Sequence, residues 1–132
     1  MLIRDYRESD RTGCAAVYER AWNGLSLGAP RSISPEQLEF ETSGERLLVA
    51  ELNDEILGFA SYWEPDSFLH HLHVDPDYQR QGIGTALLSR VGLLGAGGMS
   101  LKCQTANFGA RRFYSHHGFV ESEERGEDEF GA

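Results

Sequence analysis

The stretch Gln79-Arg80-Gln81-Gly82-Ile83-Gly84-Thr85 directly follows the apolar-rich run Phe68-Leu69-His70-His71-Leu72-His73-Val74, and it constrains this chain more than any other segment. A strand that turns into a glycine-opened helix presents unpaired backbone N–H groups at the helix N-terminus. Those groups hold a phosphate or pyrophosphate without many charged side chains. At Gly82 and Gly84 no Cβ stands between the main chain and such a ligand. Ile83, Leu87, Val91 and Leu94 recur at spacings of three and four, so the helix that follows buries one stripe. A dinucleotide fingerprint is excluded, because Leu87 stands where its third glycine belongs, and a P-loop is excluded because no Gly-Lys-Ser/Thr ending exists. From the loop alone, an ordinary tight strand-to-helix turn remains the alternative.

A second constellation lies further on. The short strand Leu101-Lys102-Cys103 leads to Asn107-Phe108-Gly109-Ala110-Arg111-Arg112-Phe113-Tyr114-Ser115-His116-His117-Gly118-Phe119. With both segments in view, the chain resembles the GCN5-related N-acetyltransferase (GNAT) superfamily. The acetyl-CoA loop of that family, Arg/Gln-x-x-Gly-x-Gly/Ala, is matched by Gln79, Gly82 and Gly84. Its apolar-x-Val-Asp-Pro phrase is matched by Leu72-His73-Val74-Asp75-Pro76. Its last helix is matched at Asn107, Ala110, Phe113, Tyr114, Gly118 and Phe119. Two motifs in the family's order are far more specific than either alone, and the resemblance spans nearly the whole chain.

Residues 1–132 fit one small α/β (α+β) domain with a single core, given 40% hydrophobic residues and no apolar run long enough to span a membrane. Met1-Leu2-Ile3-Arg4-Asp5 has no signal-peptide pattern, and Cys14 and Cys103 read as reduced packing residues, so a cytoplasmic location is expected. The net charge of −9 excludes nucleic acid as a partner, since a phosphate backbone needs a basic face. Arg80, Arg90, Lys102, Arg111 and Arg112 gather around the two coenzyme segments, while the acids collect in Glu121–Glu129, read as a solvated tail.

The patterning predicts a strand at Leu2–Arg4 and a helix over Arg11–Trp22 with Asp10 as N-cap. It also predicts a short helix opened by Pro35 and a hairpin of Arg46–Glu51 with Glu55–Trp63 around Asn53-Asp54. A strand at Ser67–Val74 and the Gly82 helix follow, the latter ended by Gly95, Gly97 and Gly98. The implied architecture is a mixed, mostly antiparallel sheet with helices on both faces. In the family, the fourth and fifth strands splay apart at a bulge near the position of Val74. The resemblance implies acetyl-CoA as co-substrate, with pantetheine against the main chain of Leu72, His73 and Val74 and pyrophosphate on Gln79, Arg80, Gln81, Gly82, Ile83, Gly84 and Thr85. Asn107, Arg111 and Tyr114 complete the coenzyme side. Beyond Val120 only Phe130 offers a large apolar side chain. An incomplete seventh strand is therefore expected, with a homodimer partner as one way to cover the edge.

For the chemistry, Tyr114 matches the family's general acid, and a phenol stays protonated at neutral pH; packing beside Phe113 is the plain alternative. Strict alternation puts His70 on the face of Phe68 and Leu72 and puts His71 and His73 on the other. His70 falls where the serotonin N-acetyltransferase branch carries a catalytic histidine, and imidazole suits proton removal near neutral pH. A structural histidine is the rival reading, with Glu41, Glu64 or a water chain as other bases. The His71-x-His73 pair lacks a third metal ligand in sequence. Residues 23–43 are expected on the acceptor side, with Trp22, Phe40, Tyr62 and Trp63 as apolar walls. The expected activity is direct acetyl transfer to the primary amine of a small molecule. A protein N-terminal or lysine acetyltransferase and a silent acyl-CoA-binding module stay open.

Overall fold

The computed structural model describes residues 1–94, 98–104 and 106–121, and 129–131 in backbone only. Seven strands form one sheet in the order β1-β2-β3-β4-β5-β7-β6. They are β1 (Leu2–Asp5), β2 (Arg46–Leu52), β3 (Glu55–Trp63), β4 (Phe68–Val74), β5 (Ser100–Lys102), β6 (Val120–Glu121) and β7 (Glu129–Gly131). Every pairing is antiparallel except β4 with β5. The helices are α1 (Arg11–Leu25), α2 (Pro35–Glu41), α3 (Ile83–Gly92) and α4 (Phe108–His116).

Local chemistry accounts for these elements. Asn53 and Asp54 both take positive φ, 52° and 66°, which makes the tight β2–β3 turn. Ser34 caps α2 by accepting from Gln37 N–H at 3.0 Å, with Pro35 in the first turn. Asp10 precedes α1 but does not cap it. Its carboxylate accepts instead from Arg7 N–H at 2.7 Å and from the Arg4 guanidinium at 2.8 and 2.9 Å, tying β1 to the helix entry. Helix α1 runs on to Leu25, and α3 ends at Gly92, before the expected glycine stop; Gly95 and Gly97 lie outside the described residues.

Each face of the sheet carries its own core. On one side Ile83, Leu87 and Val91 of α3, Tyr114 of α4 and Phe119 just beyond α4 pack against Leu48, Ala60, Tyr62, Leu69 and Leu101. On the other, α1 and the segment into α2 pack Cys14, Val17, Tyr18, Ile33 and Leu38 against Val49 and Phe59. Cys14 and Cys103 are both buried and are not joined in a disulfide.

Two expectations are corrected here. A seventh strand exists, inserted between β5 and β6, so the closing hairpin is formed; most of the acidic run, 122–128, lies outside the described residues. The β4 bulge is at His70 and not near Val74, because Ser61 pairs with His71 while Tyr62 already pairs with Leu69. The extra residue resets the alternation. Leu69, Leu72 and Val74 consequently all face α3, and His70 does not share the face of Leu72. No helix among the described residues is long and apolar enough to cross a membrane.

Candidate active site

Strand β4 pairs with β5 only at Phe68–Ser100 and Leu69–Leu101. From His70 onward the two strands part, so the splay begins at the bulge. Asp75 N–H donates to Leu57 O at 2.8 Å. Period two then turns the main-chain groups of His73 toward β3 and leaves those of Leu72 and Val74 facing the gap. Gly58 permits this close register, since a Cβ there would meet His73 O at 2.8 Å. No strand among the described residues pairs with Leu72 and Val74 on the gap side, and His73 contributes its side chain on the α1 face.

The loop after β4 is held by Asp75. Its buried carboxylate accepts from Asp77 N–H at 3.0 Å and pairs with Arg20 at 2.8 Å, which starts the single 3-10 turn Pro76–Tyr78. Gln79 reaches back to Val74 O at 3.5 Å. Arg80 and Gly82 then take positive φ, 65° and 80°. No side chain caps α3, and Ala86 N–H is the first to meet a helical carbonyl, that of Gly82 at 2.9 Å. The N–H groups of Ile83, Gly84 and Thr85 therefore open the helix without an intrahelical acceptor, an arrangement chemically suited to an anion. A Cβ on Gly82 would meet nothing within 4 Å, so the space over the loop is open, whereas Gly84 lies against Phe113 of α4. Arg80 and Gln81 are exposed beside it. Thr85 Oγ1 lies 3.1 Å from His117 Nε2, a neighbour that no sequence motif announced.

On α4, Asn107 acts as N-cap, accepting from Ala110 N–H at 3.1 Å. Arg111 is engaged by Glu121 at 2.6 and 2.9 Å, which ties α4 to β6. Arg90 does not join the loop; it donates to Ile3 O at 3.3 Å from the last turn of α3. Tyr114 is buried in the cluster of Leu69, Leu72, Leu101 and Cys103, which walls the splay on the α3–α4 side. Burial, reinforced by the nearby Cys103 thiol, holds its phenol protonated well above the ordinary range. Cys103 thus sits closer to the gap than its place in the sequence implies.

The bulge separates the surroundings of His70 from those shared by His71 and His73. His70 lies at the surface with Nδ1 2.7 Å from Glu45 Oε2. A carboxylate only accepts, so neutral His70 carries its proton on Nδ1 and presents the Nε2 lone pair. Glu45 is 10% exposed, and its Oε1 is buried without a partner among the described residues. His71 is buried and stacks against His70 with ring centroids 4.1 Å apart. Its Nδ1 lies 3.1 Å from His73 Nε2. Tyr18 meets both of these rings edge-on, at 5.7 and 5.0 Å. Burial above all, then neighbouring charge, pushes His71 down to about 2 and His73 to about 4. Both are neutral wall residues near neutral pH.

Of the expected apolar walls, Tyr62 belongs to the α3-side core and Phe40 is exposed, whereas Trp22 carries the Arg31 guanidinium over its ring. Glu64 pairs loosely with Arg46 at 3.9 Å. Glu45 escaped the sequence reading because only the register of three strands brings it to His70. A hollow of about 500 Å³ between α1 and the β2–β3 turn is lined by Arg4, Asp10, Arg20 and Asp75, whose charges already pair with one another.

The comparisons bear on this geometry. The family model described as an acetyltransferase (GNAT) domain matches residues 43–121. The chain is 33% identical over 106 residues to the Escherichia coli (strain K12) protein named L-amino acid N-acyltransferase MnaT, covering 69% of this chain and 60% of that one. It is 30% identical over 98 residues to an acetyltransferase of Pectobacterium atrosepticum, covering 69% and 64%. The chain thus spans less than two thirds of the length of these relatives. Among solved structures, the PaiA N-acetyltransferase of Thermoplasma acidophilum in complex with coenzyme A shares the fold, with a TM-score of 0.81 at 20% identity over 98% of this chain and 96% of that one.

Proposed function

The chain belongs to the GNAT acetyltransferase family, and from that premise we propose that it transfers an acetyl group from acetyl-CoA directly to the primary amine of a small molecule. The observation that carries this reading is the bulge at His70, which sets a carboxylate-bound imidazole at the point where β4 and β5 part. The gap-side edge of Leu72 and Val74 suits the pantetheine amides, which add like a strand. The N–H groups opening α3, with Arg80 and Thr85 beside them, suit the pyrophosphate.

In this reading Glu45 fixes the tautomer of His70, and Nε2 of His70 takes a proton from the acceptor ammonium. The freed lone pair attacks the thioester carbon. As the C–N bond forms and the C–S bond breaks, Tyr114 gives its proton to the departing sulfur, and the second proton shed by nitrogen restores Tyr114 through solvent. One proton leaves overall, by way of His70. The name of the E. coli relative supports a small amine such as a free amino acid as acceptor.

Two substitutions test the assignment. His70→Gln and Tyr114→Phe are each expected to lower kcat by about 10²–10⁴-fold, the usual range for general acid–base groups. Coenzyme A affinity, read by isothermal titration, stays within about twofold in both. A loss below tenfold would return that residue to a packing role. Unchanged coenzyme affinity with no turnover on any amine in the wild type would favour a silent binding module.

A further inference from the structure

The chain is acidic, and its arginines on the α1 side are heavily paired. Arg4, Arg11 and Arg20 each meet two carboxylates. Arg31, in the connection between α1 and α2, meets none among the described residues. It is nevertheless held firmly. Its guanidinium carbon lies 3.5 Å from the Trp22 ring centroid, and Nη1 donates to Tyr18 OH at 3.0 Å. Its main chain is clamped by Asn23, which accepts from Arg31 N–H at 2.8 Å and donates to Arg31 O at 3.2 Å. Trp22 is fixed in turn by donating to Ala29 O at 3.1 Å. A long, flexible cation is ordered in advance without an anion to neutralise it.

Its position says which anion. The coenzyme segments, the α3 N-terminus and α4, lie on the opposite face of the sheet. Arg31 is on the α1 face and touches Tyr18, whose ring packs on His71 and His73, the residues that continue β4 from His70. An acceptor reaching the splay from this face passes His71 and His73, both neutral, and meets one arginine fork at the rim. The positive charge is felt along that wall, since Arg31 contributes to the depressed basicity of His73.

We propose that Arg31 binds the carboxylate of the acceptor, so that the substrate class is an amine that also carries a carboxylate, the free α-amino acids being its simplest members. This rests on the acetyl-transfer reading above and adds the residue that selects the acceptor. A planar guanidinium held by an aromatic ring offers two parallel N–H donors to a carboxylate, a geometry that a lysine cannot reproduce.

The test compares free L-amino acids with their carboxamides, which keep the amine and side chain but carry a neutral amide where the acid carries the carboxylate. For the best amino acid, wild-type kcat/KM should exceed that of the carboxamide by about 10–100-fold, the range for losing charge-assisted hydrogen bonds. Arg31→Met should lower kcat/KM for the acid by that factor, mostly through KM, and leave the carboxamide unchanged; Arg31→Lys should recover only part. Coenzyme A titration of each variant checks that it is folded. Equal use of acid and carboxamide by the wild type would overturn the inference while leaving acetyl transfer intact. An equal loss on both substrates in Arg31→Met would also overturn it, reducing Arg31 to a staple of its loop. If no amine is acetylated, this inference and the proposed function fall together.

Discussion

His71 lies under Tyr18 and Phe59 with its Nε2 buried and unpartnered among the described residues, whereas His70, one residue earlier, rests at the surface against Glu45. The difference is one of solvation, and it has a measurable sign. Because the folded chain keeps His71 and His73 neutral down to about 2 and about 4, only the unfolded chain takes up their protons as pH falls below the ordinary imidazole value of about 6.5. Stability from this pair is complete above that value and is lost progressively as pH falls. By pH 5 the buried His71 alone should cost about 1–2 kcal/mol relative to pH 7. Thermal melts at pH 7 and pH 5 should therefore show a smaller drop in His71→Gln than in the wild type, whatever the baseline stability of the variant. Equal drops would mean that His71 protonates in the fold. The sequence named all three histidines and grouped His70 with Phe68, but it also grouped His70 with Leu72 and apart from His71, since period-two counting has no way to register an inserted residue. Glu45 and Arg31 were invisible for a related reason: one meets its partner through strand register, the other through a loop without periodicity.

At the scale of elements, the parts written in local chemistry were the legible ones. Asn53-Asp54 forced the hairpin, Ser34-Pro35 opened α2, and Gln79–Gly84 marked the strand-to-helix turn, each through backbone preferences confined to a few residues. Boundaries set by tertiary packing were less so, as the extension of α1 to Leu25 and the insertion of β7 between β5 and β6 illustrate. The loop reading makes a sharp prediction. Gly82 takes φ +80° over open space, a conformation that Asn and Asp tolerate better than other side chains. Gly82→Asn and Gly82→Asp share that strain and nearly the same shape, so they differ by one negative charge. If the coenzyme pyrophosphate sits there, Asp should bind coenzyme A at least about tenfold more weakly than Asn, as expected for a like charge brought against the phosphates. Equal affinities by isothermal titration would show that the loop holds no phosphate.

Across the whole molecule, the sheet divides two tasks. Its α3–α4 face carries the uncapped start of α3 and the buried phenol, and its α1 face carries Glu45's partner His70, the neutral histidine wall and Arg31. The splay between β4 and β5 is where the two faces communicate, so both substrates must be present together for acetyl transfer to be direct. Cys103 makes that claim worth testing, because the buried thiol shares the Tyr114 cluster at the edge of the gap. The decisive measurement is the initial-rate pattern with acetyl-CoA and a free amino acid varied against each other, with the N-acetyl product followed by mass spectrometry. Direct transfer predicts intersecting double-reciprocal lines and no acetyl group left on the protein. Parallel lines, with acetyl label retained on Cys103 after the coenzyme is removed, would contradict it and point to a covalent intermediate.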